Sequence, residues 1–84
     1  MNSNKHYAYM LRCKDNTIYS GYAVDVYKRL AVHNSGKGAK YTRARLPVEL
    51  IYYEEFENKS DALRREREFK KYTHKQKEQI AMGN

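Results

Sequence analysis

Two short, tyrosine-rich alternating segments on either side of a polar turn constrain this chain most. His6 to Cys13 reads H-Y-A-Y-M-L-R-C, which puts Tyr7, Tyr9, Leu11 and Cys13 on one face of a strand. Lys14-Asp15-Asn16 is a turn signal, because Asp and Asn bond to nearby backbone and tolerate left-handed conformations. Thr17 to Tyr22 reads T-I-Y-S-G-Y, rich in β-branched and aromatic residues. The two segments form an antiparallel hairpin. A chain of 84 residues has room for one domain around it, spanning 1–84 with a core from about 6 to 80.

Downstream, Pro47 to Phe56 contains V-E-L-I-Y-Y, a third strand. Asp25 can cap a helix over about 26–34, which Gly36 ends. Asn58 or Ser60 can cap a second helix over about 61–72. Thr73-His74-Lys75-Gln76 fits a capping box and starts a short third helix. The order is β-β-α-β-α-α, an α+β chain, with the Gly/Lys/Arg-rich segment Ser35 to Leu46 as its main loop.

Charge is unevenly spread. Of the net +7, residues 1–53 carry nine Lys/Arg against three Asp/Glu, and residues 54–84 carry eight against seven. Lys28, Arg29, Lys37, Lys40, Arg43 and Arg45 fall in one stretch without an acid. Such a stretch attracts a polyanion, since Lys/Arg contacts to phosphate release counterions, or else it is a solvated basic loop. Gly36 and Gly38 interrupt it and it lacks a large apolar face, which disfavours a membrane surface.

One Cys and three His make neither a disulfide framework nor a Cys/His zinc cluster. No apolar run approaches the roughly 20 residues of a membrane span, and no signal-peptide pattern opens the chain, so a cytoplasmic location is expected. Cys13 is expected to be a buried strand residue, and His6 and His74 surface residues. Glu54, Glu55 and Glu57 are expected to mark the solvated end of a strand rather than a metal site. Most of Tyr22, Tyr27, Tyr41, Tyr52, Tyr53 and Tyr72 are expected in the core.

The helices carry polar residues where apolar ones belong. Val26, Arg29, Leu30 and His33 have the spacing of a core-facing stripe, yet two of the four are polar. In the second helix Ala62, Leu63, Glu66 and Phe69 form the stripe, with Glu66 in its middle and Arg64, Arg65, Arg67 and Lys71 largely off it. Burying Arg, His and Glu is costly unless they pair or line a site. Three arrangements satisfy this: an Arg29–Glu66 ion pair, helices rotated to leave both at the rim, or a cleft between one sheet face and the two stripes.

Taken in order, these residues resemble the GIY-YIG nuclease superfamily. Tyr7-Ala8-Tyr9 corresponds to its first motif and Tyr19-Ser20-Gly21 to its second. Arg29 stands where the family places a catalytic arginine, and His33 where members carry His or Tyr. A-L-R-R-E at Ala62 to Glu66 resembles the helix that ends in the metal-binding glutamate, which maps to Glu66. The segment from His33 to Val48, H-N-S-G-K-G-A-K-Y-T-R-A-R-L-P-V, resembles the compact single-domain branch. The resemblance covers about residues 6–78. Tyr7 departs from it, occupying the first motif's glycine position, and this implies different packing under the site.

The resemblance implies a three-stranded antiparallel sheet flanked by helices and one divalent ion, Mg²⁺ or Mn²⁺, with Glu66 as its protein ligand. Tyr9 or Tyr19 would accept a proton from water, and Arg29 would neutralise phosphate charge. His33 would orient a tyrosine, act as the base or bind phosphate. Lys37, Lys40, Tyr41, Arg43 and Arg45 are the candidate nucleic-acid contacts. The function implied is a metal-dependent endonuclease acting on DNA. A non-catalytic binding module of the same fold, helped by a protein partner for targeting, and an RNA-binding domain are the competing readings.

Overall fold

The computed structural model describes residues 5–83. Three strands, β1 (His6–Arg12), β2 (Ile18–Ala23) and β3 (Glu49–Phe56), form one antiparallel sheet in the order β2-β1-β3. The helices are α1 (Val26–Asn34), α2 (Lys40–Arg43), α3 (Lys59–Lys71) and α4 (His74–Ala81). At the hairpin turn Asn16 takes the left-handed conformation at φ 72°, and Asp15 Oδ1 accepts from both the Thr17 N–H and the Thr17 hydroxyl. The expected caps are in place. Asp25 accepts from the Lys28 N–H, Asn58 from the Asp61 N–H, and Thr73 and Gln76 close a capping box. One element was not expected: within the basic loop, residues 40–43 wind into the single turn of α2.

β1 is central and buried on both faces, and it divides the core in two. Tyr9, Leu11 and Cys13 pack with Ala23, Val26 and Val48 on the face that α1 covers. Ala8, Met10 and Ile18 pack with Phe69 on the other, beneath α3 and α4. The expected cleft between one sheet face and both polar stripes therefore does not form. Arg29 and Glu66 belong to helices on opposite faces, and among the described residues no ion pair joins them; Glu66 is held instead by Lys70 at 3.2 Å.

Further expectations are corrected. Glu54 is not at a solvated strand end: its carboxylate accepts from Arg65 Nε at 2.9 Å and from the Tyr52 hydroxyl at 2.6 Å. Arg65, expected off the buried stripe, lies over the Phe69 ring at 4.7 Å with three-quarters of its side chain covered. None of the six tyrosines assigned mainly to the core is fully buried; Tyr27, Tyr41 and Tyr53 are exposed. Tyr52 and Tyr72 pack against Phe69 at the edge of the core, as expected, while Tyr53 stands edge-on to both Tyr7 and Tyr27 at the surface. Cys13 is buried as expected. His6 is half-buried, its Nδ1 at 2.7 Å from the Tyr22 hydroxyl, while His74 is exposed beside Glu78.

Candidate active site

The site begins with one cross-strand pair. Tyr9 on β1 stands opposite Gly21 on β2. A Cβ at position 21 would lie 2.5 Å from Tyr9 Oη and 2.6 Å from Cζ. The tip of the Tyr9 ring thus occupies the space a side chain would take, and only glycine leaves it free. This is the close approach that a glycine inside a strand signals.

Tyr9 Oη lies 2.9 Å from Nε2 of His33, in the last turn of α1. His33 is wholly buried. Its Nδ1 lies 2.8 Å from Thr42 Oγ1, and the Thr42 hydroxyl donates to the Ala39 carbonyl at 2.9 Å. A hydroxyl has one proton, so Thr42 can only accept from His33. Nδ1 therefore carries the ring proton, Nε2 is left as an acceptor, and the Tyr9 hydroxyl donates to it. The turn of α2 exists at the right place to supply this acceptor. Gly38 packs flat against the imidazole, where a Cβ would come within 2.8 Å of Cγ.

Burial, with Arg29 adding to it, holds the His33 imidazole below its ordinary value and so keeps it neutral near pH 7. Burial pushes the Tyr9 phenol up to about 12, against a hydrogen bond and positive charge from Arg29. Tyr19 and Glu66 push in the same direction as burial. Arg29 from one face of the sheet and Glu66 from the other thus both act on the Tyr9 phenol. Tyr19 stands edge-on to the His33 ring at 5.3 Å and stacks on Tyr41 at 6.0 Å. Beside Arg29 opens a cleft of about 360 Å³ that includes Tyr22, Val24, Lys28 and Val32.

Tyr9, Tyr19 and His33 are therefore close neighbours, Arg29 reaches the Tyr9 phenol, and Glu66 acts on that phenol only through its charge. The basic-loop candidates divide. Lys37, Lys40 and Arg43 are exposed. Arg45 is tied to Asp15 at 3.0 Å and to the Tyr41 carbonyl at 2.8 Å, and its guanidinium lies 3.9 Å over the Tyr41 ring. Sequence reasoning missed Thr42 and Gly38, which fix the ring of His33. It also missed Asn34, whose side-chain amide exchanges two hydrogen bonds with the Val48 backbone and closes the loop that carries both.

Among the described residues no group of three or more His, Cys, Asp or Glu could cage a metal ion. Glu66, with its side chain 17% exposed, is the carboxylate at this site. One carboxylate suits an ion that keeps most of its water, as Mg²⁺ does, and does not suit structural zinc or a calcium cage. No helix is long and apolar enough to cross a membrane.

Known proteins share this sequence and fold. The family model described as the GIY-YIG catalytic domain matches residues 5–79. A UPF0213 protein of Staphylococcus haemolyticus is 55% identical over 73 residues, covering 87% of this chain and 89% of that protein. The UPF0213 protein YazA of Bacillus subtilis is 53% identical over 78 residues, covering 93% and 79%. Two solution NMR structures are similar. The UPF0213 protein BH0048 from Bacillus halodurans has a TM-score of 0.59 and 46% identity, over 93% of this chain and 83% of that one. The E. faecalis protein EF2693 has a TM-score of 0.64 and 48% identity, over 98% and 88%. The chain thus belongs to the GIY-YIG catalytic domain family, part of a nuclease superfamily.

Proposed function

We propose that this protein is a divalent-metal-dependent endonuclease that hydrolyses phosphodiester bonds of DNA. One observation carries the reading: the Tyr9 hydroxyl donates to a neutral, fully buried His33, while Arg29 and Glu66 act on the same phenol. A phenol held near 12 is not a base by itself at neutral pH. Coupled to His33 it becomes one. As water attacks phosphorus, its proton passes to Tyr9 Oη and the phenolic proton passes to His33 Nε2. Thr42 keeps the Nδ1 proton in place and stabilises the imidazolium that forms. Arg29 neutralises charge on the phosphate as it develops, a contribution of about 3–4 kcal/mol for a single well-placed group. Glu66 would hold one Mg²⁺ or Mn²⁺, which supplies Lewis-acid polarisation of a phosphoryl oxygen. Exposed Lys37, Lys40 and Arg43 would bind the backbone nearby, and Tyr41 would offer its exposed ring to a base or sugar. Targeting would come from DNA shape or a protein partner.

One observation favours a second reading, a binding module of the same fold without turnover: the Glu66 carboxylate is already engaged by Lys70. Nicking of supercoiled plasmid and of branched DNA with Mg²⁺ or Mn²⁺, with Glu66→Ala alongside, separates the two. Cleavage by the wild type and none by Glu66→Ala supports the nuclease. Tight binding with no cleavage by either supports the module, and a stronger preference for RNA overturns the choice of DNA.

A further inference from the structure

A groove of about 270 Å³ runs along the β2 side of the sheet, lined by Ile18, Tyr19, Ser20, Tyr41, Lys70 and Lys77. Its floor holds an anomaly. Ser20 is 2% exposed, and among the described residues its hydroxyl has no hydrogen-bond partner. A buried hydroxyl without a partner is destabilising, and alanine would fill the same position without that cost. Its walls hold a second. Lys70 and Lys77 converge there, and Lys77, half-buried, is bound to the Ile18 carbonyl at 3.3 Å and meets no carboxylate among the described residues. Burial, and after it the charge of Lys70, holds the Lys77 ammonium below the ordinary lysine value. A half-buried ammonium that meets no carboxylate, with a second lysine in the same groove and an unsatisfied donor beside it, is what an anion would relieve.

The backbone points the same way. In an antiparallel strand a residue's N–H and C=O leave on one side, and the sides alternate. The Thr17 carbonyl faces β1, accepting from the Cys13 N–H. Ile18 and Ser20 therefore turn their backbone groups to the free edge, as the Lys77 bond to the Ile18 carbonyl requires. The groove shares Tyr19 with the active site and touches it again through Lys70, which holds Glu66.

We propose that this groove is a second phosphate subsite, binding the phosphodiester group next to the one cleaved, with Lys70, Lys77 and the Ser20 hydroxyl as donors and Tyr19 and Tyr41 as walls for the attached nucleoside. This rests on the nucleic-acid reading above. Two bound phosphates on either side of Tyr19 would fix the direction of the strand across the catalytic tyrosines.

The test is anisotropy of fluorescein-labelled oligonucleotides on the full chain, without divalent metal, over a series of KCl concentrations. Lys77→Gln, which removes the charge and keeps a hydrogen-bond donor, should lower the log–log salt slope by about one unit. Ser20→Ala should weaken binding several-fold while leaving the melting temperature unchanged or raised, an outcome a purely structural serine would not produce. Wild-type slope and affinity in both variants would overturn the subsite while leaving the nucleic-acid reading intact. No oligonucleotide binding by the wild type would overturn both. Amide shifts at Ser20 and Lys77 on titration with inorganic phosphate, without any loss of oligonucleotide affinity in the variants, would show a site for free phosphate and also overturn the strand subsite.

Discussion

Gly21 and Tyr9 face each other across the central strand pair, and the absent side chain of the first is the space the second fills. Gly21→Ala would force the phenol away from His33 or push β2 outward. Overpacking of this kind costs about 1–3 kcal/mol. Urea denaturation should show that loss, and cleavage should fall further than stability does. Full stability and full activity in Gly21→Ala would remove the glycine from the site.

Thr42 decides which nitrogen of His33 carries the proton. Thr42→Val keeps the shape and removes the acceptor, leaving a buried Nδ1–H unpaired at a cost of about 1–3 kcal/mol. The ring is then expected to move its proton to Nε2 and donate to the Tyr9 oxygen, leaving no acceptor for the phenolic proton. Nitrogen chemical shifts of the imidazole should report Nδ1–H in the wild type and Nε2–H in the variant, with cleavage lowered by about 10²-fold or more.

Stability should depend on pH through His33. Its imidazole is held below the ordinary value of about 6.5, by burial first and Arg29 second, so the unfolded chain takes up a proton before the native one does. The contribution is complete above about 6.5 and is lost as pH falls below that toward the lowered native value. Urea midpoints should drop between pH 7 and 5.5 in the wild type and change less in His33→Gln. Carboxylates, near 4, titrate below this window. Parallel pH profiles in the two proteins would contradict a buried neutral His33.

Adjacent acids in β3 should behave differently. Burial raises Glu54, but hydrogen bonds from Arg65 and Tyr52 outweigh it and leave the carboxyl below its usual range. Glu54→Ala takes the acceptor from Arg65 Nε and from the Tyr52 hydroxyl, leaving Arg65 only its bonds to Glu68 and Tyr72, and should cost about 1–3 kcal/mol. Glu55, half exposed, should change stability by no more than about 0.5 kcal/mol when replaced by Ala. Chemical denaturation of both variants checks the contrast.

The residues that could be read from the sequence are those governed by local chemistry. Asp25, Asn58 and Thr73 cap helices whatever surrounds them, and Asn16 takes its turn conformation from its own side chain. Arg29, His33 and Glu66 stood out because each breaks an apolar period. What could not be read depends on partners distant in the chain. Nothing local to Thr42 announces that His33 needs it, and Glu54 differs from Glu55 only because Arg65 arrives from α3. Two apolar faces on β1 did not reveal that α1 and α3 would take opposite ones. The candidate residues could therefore be picked out one by one, while the faces of the sheet from which they come could not.

Tyr9→Phe is the sharpest test, because it keeps the ring that fills the Gly21 space and removes only the hydroxyl proposed to take the proton. Single-turnover cleavage of a labelled DNA substrate with Mg²⁺ should slow by about 10²–10⁴-fold, with fold and DNA affinity unchanged. Cleavage by Tyr9→Phe at the wild-type rate would contradict proton transfer through the Tyr9–His33 pair.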